Sequence, residues 1–461
     1  MHKNLPRLMI AAAASGSGKT TVICAVLRAL INRGLRIASF KCGPDYIDPM
    51  FHRESVGTAY SSNLDLFFSD ENTVRYLIAK NAEKTDMAIT EGVMGYYDGI
   101  AGISTDASSY ALACATETPV VLVVNCRGMS VSIAAQVKGF IELRSDSHIA
   151  AVILNNMPPS LYQDIKALVE RECGVPVAGY LPPMADCSLE SRHLGLVTAA
   201  EVENLQEKLT KLAQQVERTI ELDRLILLAS SAPPLDYEPP VLPKLNPLVS
   251  PRIAVARDAA FCFYYADSLT LLRELGAELV DFSPMHDSTL PDRIDGLLLG
   301  GGYPELYTKQ LSDNKSMCSS IKTAIESGLP TIAECGGFLY LHRTMQDVSG
   351  TAYPMVDVIA AEGYKTEKLG RFGYVTLTAH KNNMLCSVGE SMPAHEFHYW
   401  DSTCGGEAFL AQKPQRITNW SCVHASHTLY AGFPHLYLAG CPQVAARFLH
   451  AAIAYRKEQT L

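Results

Sequence analysis

Residues Ala13–Thr20 read AASGSGKT, and this octet restricts the fold more than any other stretch of the chain. It follows the phosphate-loop pattern G-x-x-x-x-G-K-[ST], with Ala13 in place of the first glycine. The pattern works only between a strand and a helix. Its glycines let the backbone curl until successive N–H groups converge on phosphate oxygens, and the helix N-terminus favours the negative charge gathered there. Both neighbours are present: the apolar run Leu8–Ala14 leads into the loop, and the amphipathic stretch Lys19–Asn32 leads out of it, with Gly34 placed to end a helix. Lys19 supplies a mobile positive charge and Thr20 a hydroxyl for magnesium, so the loop predicts binding of ATP with Mg2+.

Alternation of apolar runs with amphipathic stretches continues through Arg36–Lys41, Met87–Thr90, Pro119–Asn125, Ile149–Asn155 and Val175–Leu181, which predicts a parallel sheet covered by helices on both faces. From Pro233 to Pro251 the chain reads PPLDYEPPVLPKLNPLVSP, a density of proline that sustains neither a helix nor a central strand. The pattern restarts beyond it with Arg252–Ala256, a helix-like stretch Tyr265–Gly276, Leu279–Phe282, Gly296–Gly300 and Leu329–Ala333. The chain therefore reads as α/β with two doubly wound domains, 1–230 and 252–461, joined by a proline-rich linker, 231–251. A chain of 461 residues is long enough for two cores.

A formal charge of -9 argues against a broad nucleic-acid or anionic-membrane surface, which needs clustered Lys and Arg. The run Leu8–Ala14 is too short to cross a bilayer. Thirteen irregularly spaced cysteines read as reduced thiols rather than a disulfide framework, so a cytoplasmic location is expected. The partners expected are small molecules. Oligomeric state is left open.

Two acidic segments complement the loop. In KCGPDYIDP, Lys41 ends a strand and Asp45 and Asp48 follow in a Gly/Pro-shaped turn; in TEGVMGYYDG, Glu91 closes a buried strand and Asp98 lies in the turn beyond. Residues at the C-terminal ends of parallel strands share the rim where ligands bind in such sheets. A hard cation takes oxygen ligands there. The bland alternative for Asp45, Asp48 and Asp98 is that each merely forms a turn or caps a helix.

In the rear half, PTIAECGGFLY is an apolar strand, a cysteine, two glycines and the start of a helix, the strand–turn–helix of a nucleophile elbow. Cys335 is the candidate nucleophile, flanked by Glu334, Gly336 and Gly337. Gly300–Gly302 follow a buried strand and offer unobstructed backbone donors, so Gly301, Gly302 and Gly336 are candidates for an oxyanion hole. A histidine base is needed, and the residues alone leave His395, His398 and His435 open.

Taken in order, AASGSGKTT, FKCGPDYIDP, TEGVMGYYDG, LGGGYPE, AECGGFLYL, HEFHYW and the late histidine segment resemble the cobyrinic acid a,c-diamide synthase family over nearly the whole chain. The resemblance implies a dethiobiotin-synthetase-like front domain and a class I, triad-type glutamine amidotransferase domain behind, the two together forming a C–N ligase of cobalamin biosynthesis. It implies Cys335 as nucleophile and His435 as the residue that activates it, with ATP on Gly16, Ser17, Gly18, Lys19, Thr20, Thr21 and Lys41. Magnesium would be held by Thr20, Asp45 and Glu91, and the acid substrate met by Asp45, Asp48 and Asp98. Two departures concern Tyr437: the family usually has a second histidine there, and amidotransferases with a full triad carry a glutamate two residues after their histidine. The resemblance thus leaves the carboxylate partner of His435 unassigned.

The implied chemistry is activation of a carboxylate as an acyl phosphate in front and release of ammonia from glutamine behind, with a sheltered path between the two sites. Nickel-sirohydrochlorin and hydrogenobyrinic acid a,c-diamide synthases share that chemistry. A nucleotide-dependent switch carrying an inactive glutaminase module is the alternative from another class.

Overall fold

A computed structural model of the chain describes residues 1–187, 191–192, 195–196, 205–245 and 250–459, and divides it into two compact units, Met1–Pro240 and Val241–Leu461. Part of the proline-rich segment, residues 246–249, lies outside the described residues.

The first unit is built on seven parallel strands: β1 (Arg7–Ala12), β2 (Ile37–Cys42), β3 (Tyr60–Leu64), β4 (Met87–Glu91), β5 (Val120–Asn125), β6 (Ile149–Asn155) and β7 (Val177–Leu181). Their order across the sheet is β3-β2-β4-β1-β5-β6-β7. Every residue of β1, β2 and β4 is buried, as expected of strands covered on both faces. The chain first builds outward on one side of β1, returns through β4, and then builds on the other side. Loops leaving β1, β2 and β4 therefore open on one rim at the point where the order reverses. Helix α1 (Lys19–Asn32) leaves β1 directly and buries Val22–Leu27, Ala29 and Leu30. The short helix α2 (Ile47–Phe51) follows β2.

In the second unit a largely parallel sheet is formed by β8 (Arg252–Ala256), β9 (Glu278–Phe282), β10 (Gly296–Leu299) and β11 (Thr331–Glu334). Helix α3 (Gly336–Tyr340) starts immediately after β11. An antiparallel sheet then appears that the alternation pattern did not announce, made of β12 (Phe372–Ala379), β13 (Ser391–Phe397), β14 (Phe409–Gln412), β15 (Asn419–Cys422) and, after β16 (His424–Ala425) and β17 (Leu429–Gly432), β18 (His435–Leu436). The two orders are β9-β8-β10-β11-β17-β16 and β15-β14-β12-β13-β18. The period of two along β8 divides the core: Ile253 and Val255 pack with Val375, Leu377 and Phe409 of the antiparallel sheet and Phe448 of the last helix, α4 (Pro442–Gln459). Ala254 and Ala256 face the other way, toward Leu299, Ala333 and Phe338. No helix of the described residues is long and apolar enough to cross a membrane.

Candidate functional site

At the rim of the first unit, the loop between β1 and α1 turns on two residues with left-handed backbone, Gly16 (φ 77°) and Gly18 (φ 80°). Space around Gly16 is open, so its need for glycine is conformational alone. At Gly18 a Cβ would also lie 2.2 Å from Asn155 Nδ2, which donates to the Ser17 carbonyl at 2.8 Å from the end of β6. Ser17 is buried in this loop and Thr21 lies on the first turn of α1. The Lys19 ammonium donates to the Met94 carbonyl at 3.3 Å, in the turn that follows β4.

A compact charge cluster lies below. The Thr20 hydroxyl donates to Glu91 Oε1 at 2.8 Å. Glu91, wholly buried at the end of β4, is the register partner of Lys41 on β2, whose ammonium approaches Glu91 Oε1 at 3.1 Å and is hydrogen-bonded to Asp48. On its far side the Glu91 Oε2 oxygen is 3.3 Å from Nε2 of the buried His52. Burial disfavours charge on all of these groups, so the pairings decide their states. For Glu91, burial is outweighed by Lys41 and His52, and its pKa lies below the ordinary value. For Lys41, burial is outweighed by Asp48, Glu91 and Asp45, and its pKa is raised. Asp48 is pushed up to about 7 by burial together with Asp45 and Glu91. Lys19 is pulled down to about 8 by burial and by the like charge of Lys41, a shift that phosphate oxygens would reverse.

The structure treats the three acidic turn residues differently. Asp45 Oδ1 accepts from the backbone N–H of Ile47 (2.9 Å) and Asp48 (3.0 Å) at the start of α2, while its Oδ2 lies 4.0 Å from Lys41. Asp48 accepts from the Lys41 ammonium through Oδ2. Asp98 Oδ2 accepts from the Gly95 N–H at 3.0 Å within its own turn. Thr20 and Glu91 are therefore in direct contact, whereas Asp45 joins them only through Lys41. Lys41 itself, expected at the nucleotide, spends its ammonium on Asp48 and Glu91. Among the described residues no group of three or more His, Cys, Asp or Glu forms a cation cage. Magnesium held through nucleotide phosphates needs only one or two protein oxygens, and the hard-oxygen pair Thr20–Glu91 fits that requirement. Two contributors carried no signal in the sequence pattern. Asn63, on the polar strand β3, braces the acidic turn by donating to the carbonyls of Gly43 (2.9 Å) and Asp45 (2.6 Å), and His52 flanks Glu91.

The second unit holds Cys335 between β11 and α3 with φ 49° and ψ -102°, a conformation that costs a non-glycine residue on the order of 1–3 kcal/mol and here aims the side chain off the strand end. Its amide donates to the Gly432 carbonyl of β17 at 2.8 Å. The glycines after it are required by proximity. A Cβ on Gly337 would lie 2.1 Å from the Leu299 carbonyl oxygen, and one on Gly336 would lie 2.9 Å from the Pro304 ring and 3.2 Å from the Gly302 nitrogen. Gly302 and Gly336 thus bring backbone from two loops together beside Cys335. Gly300 is fastened by its N–H to the Tyr264 hydroxyl at 2.9 Å.

Of the three histidines left open, His435 is the one brought to the cysteine: its ring is hydrogen-bonded to the Cys335 side chain, and it packs so closely on Gly301 that a Cβ there would lie 2.7 Å from His435 Cε1. Burial disfavours the imidazolium, but the Cys335 sulfur and Glu334 outweigh it and raise His435 to about 10. The Nδ1 atom faces Glu334 Oε2 at 3.6 Å. His395 is the register partner of His435 across β13 and β18, and is pushed down to about 3 by burial and by His435, so it stays neutral. His398 is occupied elsewhere, hydrogen-bonded to the Trp400 carbonyl at 2.6 Å and stacked on Phe433 at 3.8 Å.

Known proteins agree with both halves. Residues 8–197 match the family described as CobQ/CobB/MinD/ParA nucleotide binding domain, and residues 252–440 match the CobB/CobQ-like glutamine amidotransferase domain. A protein named cobyrinate a,c-diamide synthase from Caldanaerobacter subterraneus subsp. tengcongensis is 38% identical over 98% of this chain and 99% of its own length. Proteins of the same name from Priestia megaterium (36% identical; 98% of this chain and 98% of the relative) and Listeria monocytogenes (40% identical; 94% and 96%) are similar to the same extent. With both domains matched and such relatives aligned almost end to end, the chain belongs to the cobyrinate a,c-diamide synthase family of enzymes.

Proposed function

We propose that this enzyme amidates the a and c side-chain carboxylates of cobyrinic acid in cobalamin biosynthesis, using ATP to activate each carboxylate and glutamine to supply ammonia. One observation carries the reading: a phosphate loop with Thr20 bonded to Glu91, and a strained Cys335 bonded to His435, occur in one chain that is similar end to end to enzymes of that name.

In the rear unit the Cys335 sulfur attacks the glutamine carboxamide carbon, and backbone N–H groups at Gly301, Gly302 and Gly336 receive the developing oxyanion. His435 gives its proton to the departing nitrogen, so that ammonia leaves and a thioester remains. His435 then takes a proton from water, whose oxygen attacks the thioester carbon and frees glutamate and the sulfur. In the front unit Lys19 and the loop amides of Gly16–Gly18 offset charge as the γ-phosphoryl group passes to the substrate carboxylate, giving an acyl phosphate and ADP. Thr20 and Glu91 would hold magnesium, which neutralises phosphate charge when bound. Ammonia displaces phosphate from the acyl carbon to form the amide. Asp45, Asp48 and Asp98 are assigned to substrate contact, and Lys41 to keeping Glu91 and Asp48 in place.

The test is ATP-dependent amidation of cobyrinic acid with glutamine and, separately, with ammonia. Cys335→Ala is expected to lose the glutamine reaction and keep the ammonia reaction. If wild type and variant both hydrolyse ATP but neither amidates cobyrinic acid, the corrin substrate is wrong and sirohydrochlorins are tested next.

A further inference from the structure

Amidotransferases of the triad type hold their histidine with a carboxylate two residues downstream, and Tyr437 occupies that place here. Its side chain turns away from the site: the hydroxyl donates to Asp267 Oδ2 at 3.2 Å, and the ring packs edge-on against Tyr265 at 5.0 Å. The carboxylate that does reach His435 comes from the opposite direction in sequence. Glu334, the last residue of β11, accepts the Leu436 N–H on Oε1 at 3.1 Å and presents Oε2 to His435 Nδ1 at 3.6 Å. One side chain thus grips both the backbone after the histidine and the ring itself, and the same ring interacts with the Cys335 side chain.

We propose that Glu334 is the positioning residue of the glutaminase site, replacing the downstream carboxylate by holding Nδ1 of His435 and stabilising the imidazolium that forms when Cys335 ionises. The proposal rests on the Cys335–His435 assignment above. At 3.6 Å the contact is longer than a hydrogen bond, and such contacts tighten when substrate fills a site. Among the groups that face His435 are Cys335 from the head of α3, Glu334 from β11, and His395 from β13, which is neutral and cannot take this part. The tyrosines near Glu334, Tyr264 and Tyr430, both have raised pKa values from burial and stay protonated.

Glu334→Gln separates positioning by charge from mere bracing, since the amide oxygen can still accept from Leu436 N–H. Loss of a carboxylate beside an imidazolium lowers the histidine pKa. The expected result is a fall of at least about tenfold in kcat for glutamine hydrolysis with KM little changed, and an alkaline limb of the kcat/KM profile displaced to lower pH. Glu334→Asp keeps the charge and withdraws it by one methylene, so its alkaline limb should lie at lower pH than that of wild type, a shift readable even if the glutamine variant folds poorly. Ammonia-driven amidation should be unchanged in both. Wild-type kcat and an unmoved alkaline limb in the folded Glu334→Gln enzyme would overturn the proposal. If His435→Ala and Cys335→Ala still hydrolyse glutamine, the underlying assignment fails instead.

Discussion

At the phosphate loop, side chains hold one another: Lys41, Asp48, Glu91 and His52 share a buried space, and Thr20 is attached to it through its hydroxyl. At Cys335 the framework is backbone: Gly337 lies against the Leu299 carbonyl, Gly336 against Pro304 and Gly302, and the cysteine amide bonds to Gly432. The first arrangement can adjust, because charges on flexible stems re-pair when an anionic ligand enters. The second cannot, and a nucleophile held in strained φ/ψ needs that rigidity.

Removing the ammonium of Lys19 is the harshest way to test this division. Lys19→Ala should reduce both glutamine-driven and ammonia-driven amidation on the order of 100- to 1000-fold while ATP-independent glutamine hydrolysis stays near wild type. Surviving ammonia-driven amidation, in a steady-state assay, would break the assignment of the front site.

The next effect is on stability. Gly337→Ala sets a Cβ against a backbone oxygen that cannot rotate away, and should cost about 3 kcal/mol or more. Both tryptophans of the chain, Trp400 and Trp420, lie in the rear unit, so urea unfolding followed by tryptophan fluorescence reads that unit directly. A loss below about 1 kcal/mol would show that the elbow has slack.

The front counterpart should be gentler. In Gly18→Ala the new Cβ meets the end of the Asn155 side chain, with a left-handed backbone to maintain, so about 1–2 kcal/mol is expected. Adding Asn155→Ala should recover part of that loss in a double-mutant cycle read by hydrogen exchange in α1. Strict additivity would mean that the loop moves aside and the new Cβ never meets Asn155.

Much of the frame was legible because burial on both faces leaves continuous apolar runs. The helix read over Lys19–Asn32 and the strand over Arg252–Ala256 have the same bounds in the structure, and the other predicted strands agree within about two residues. Strand β3 was not legible: YSSNL has no apolar run, and its Ser61, Ser62 and Asn63 are buried by pairing beside β2, with side-chain hydrogen bonds at Ser61 and Asn63. The antiparallel sheet escaped for another reason. Its strands alternate, as in the buried Val375, Leu377 and Ala379 of β12, but its pairings join distant segments, as between His395 and His435. At the rear site the cysteine announced itself through its glycines. The histidine could be chosen from the residues only once the long-range register was known, and Glu334 was hidden by its adjacency to the nucleophile, where it read as a flank.

The nucleophile and the histidine beside it belong to different sheets: Cys335 follows β11 of the parallel sheet, and His435 opens β18, an edge strand of the antiparallel one. The two sheets share the core that joins Ile253 and Val255 to Val375 and Phe409, and Glu334 of one accepts the Leu436 N–H of the other. His435 lies just beyond β17, the parallel strand that pairs with β11, so the thiol and its base are brought together by a strand pairing between segments distant in sequence. Glutamine hydrolysis is in this sense a chemical readout of one strand pairing, because the sulfur gains its base only where β17 lies in register with β11.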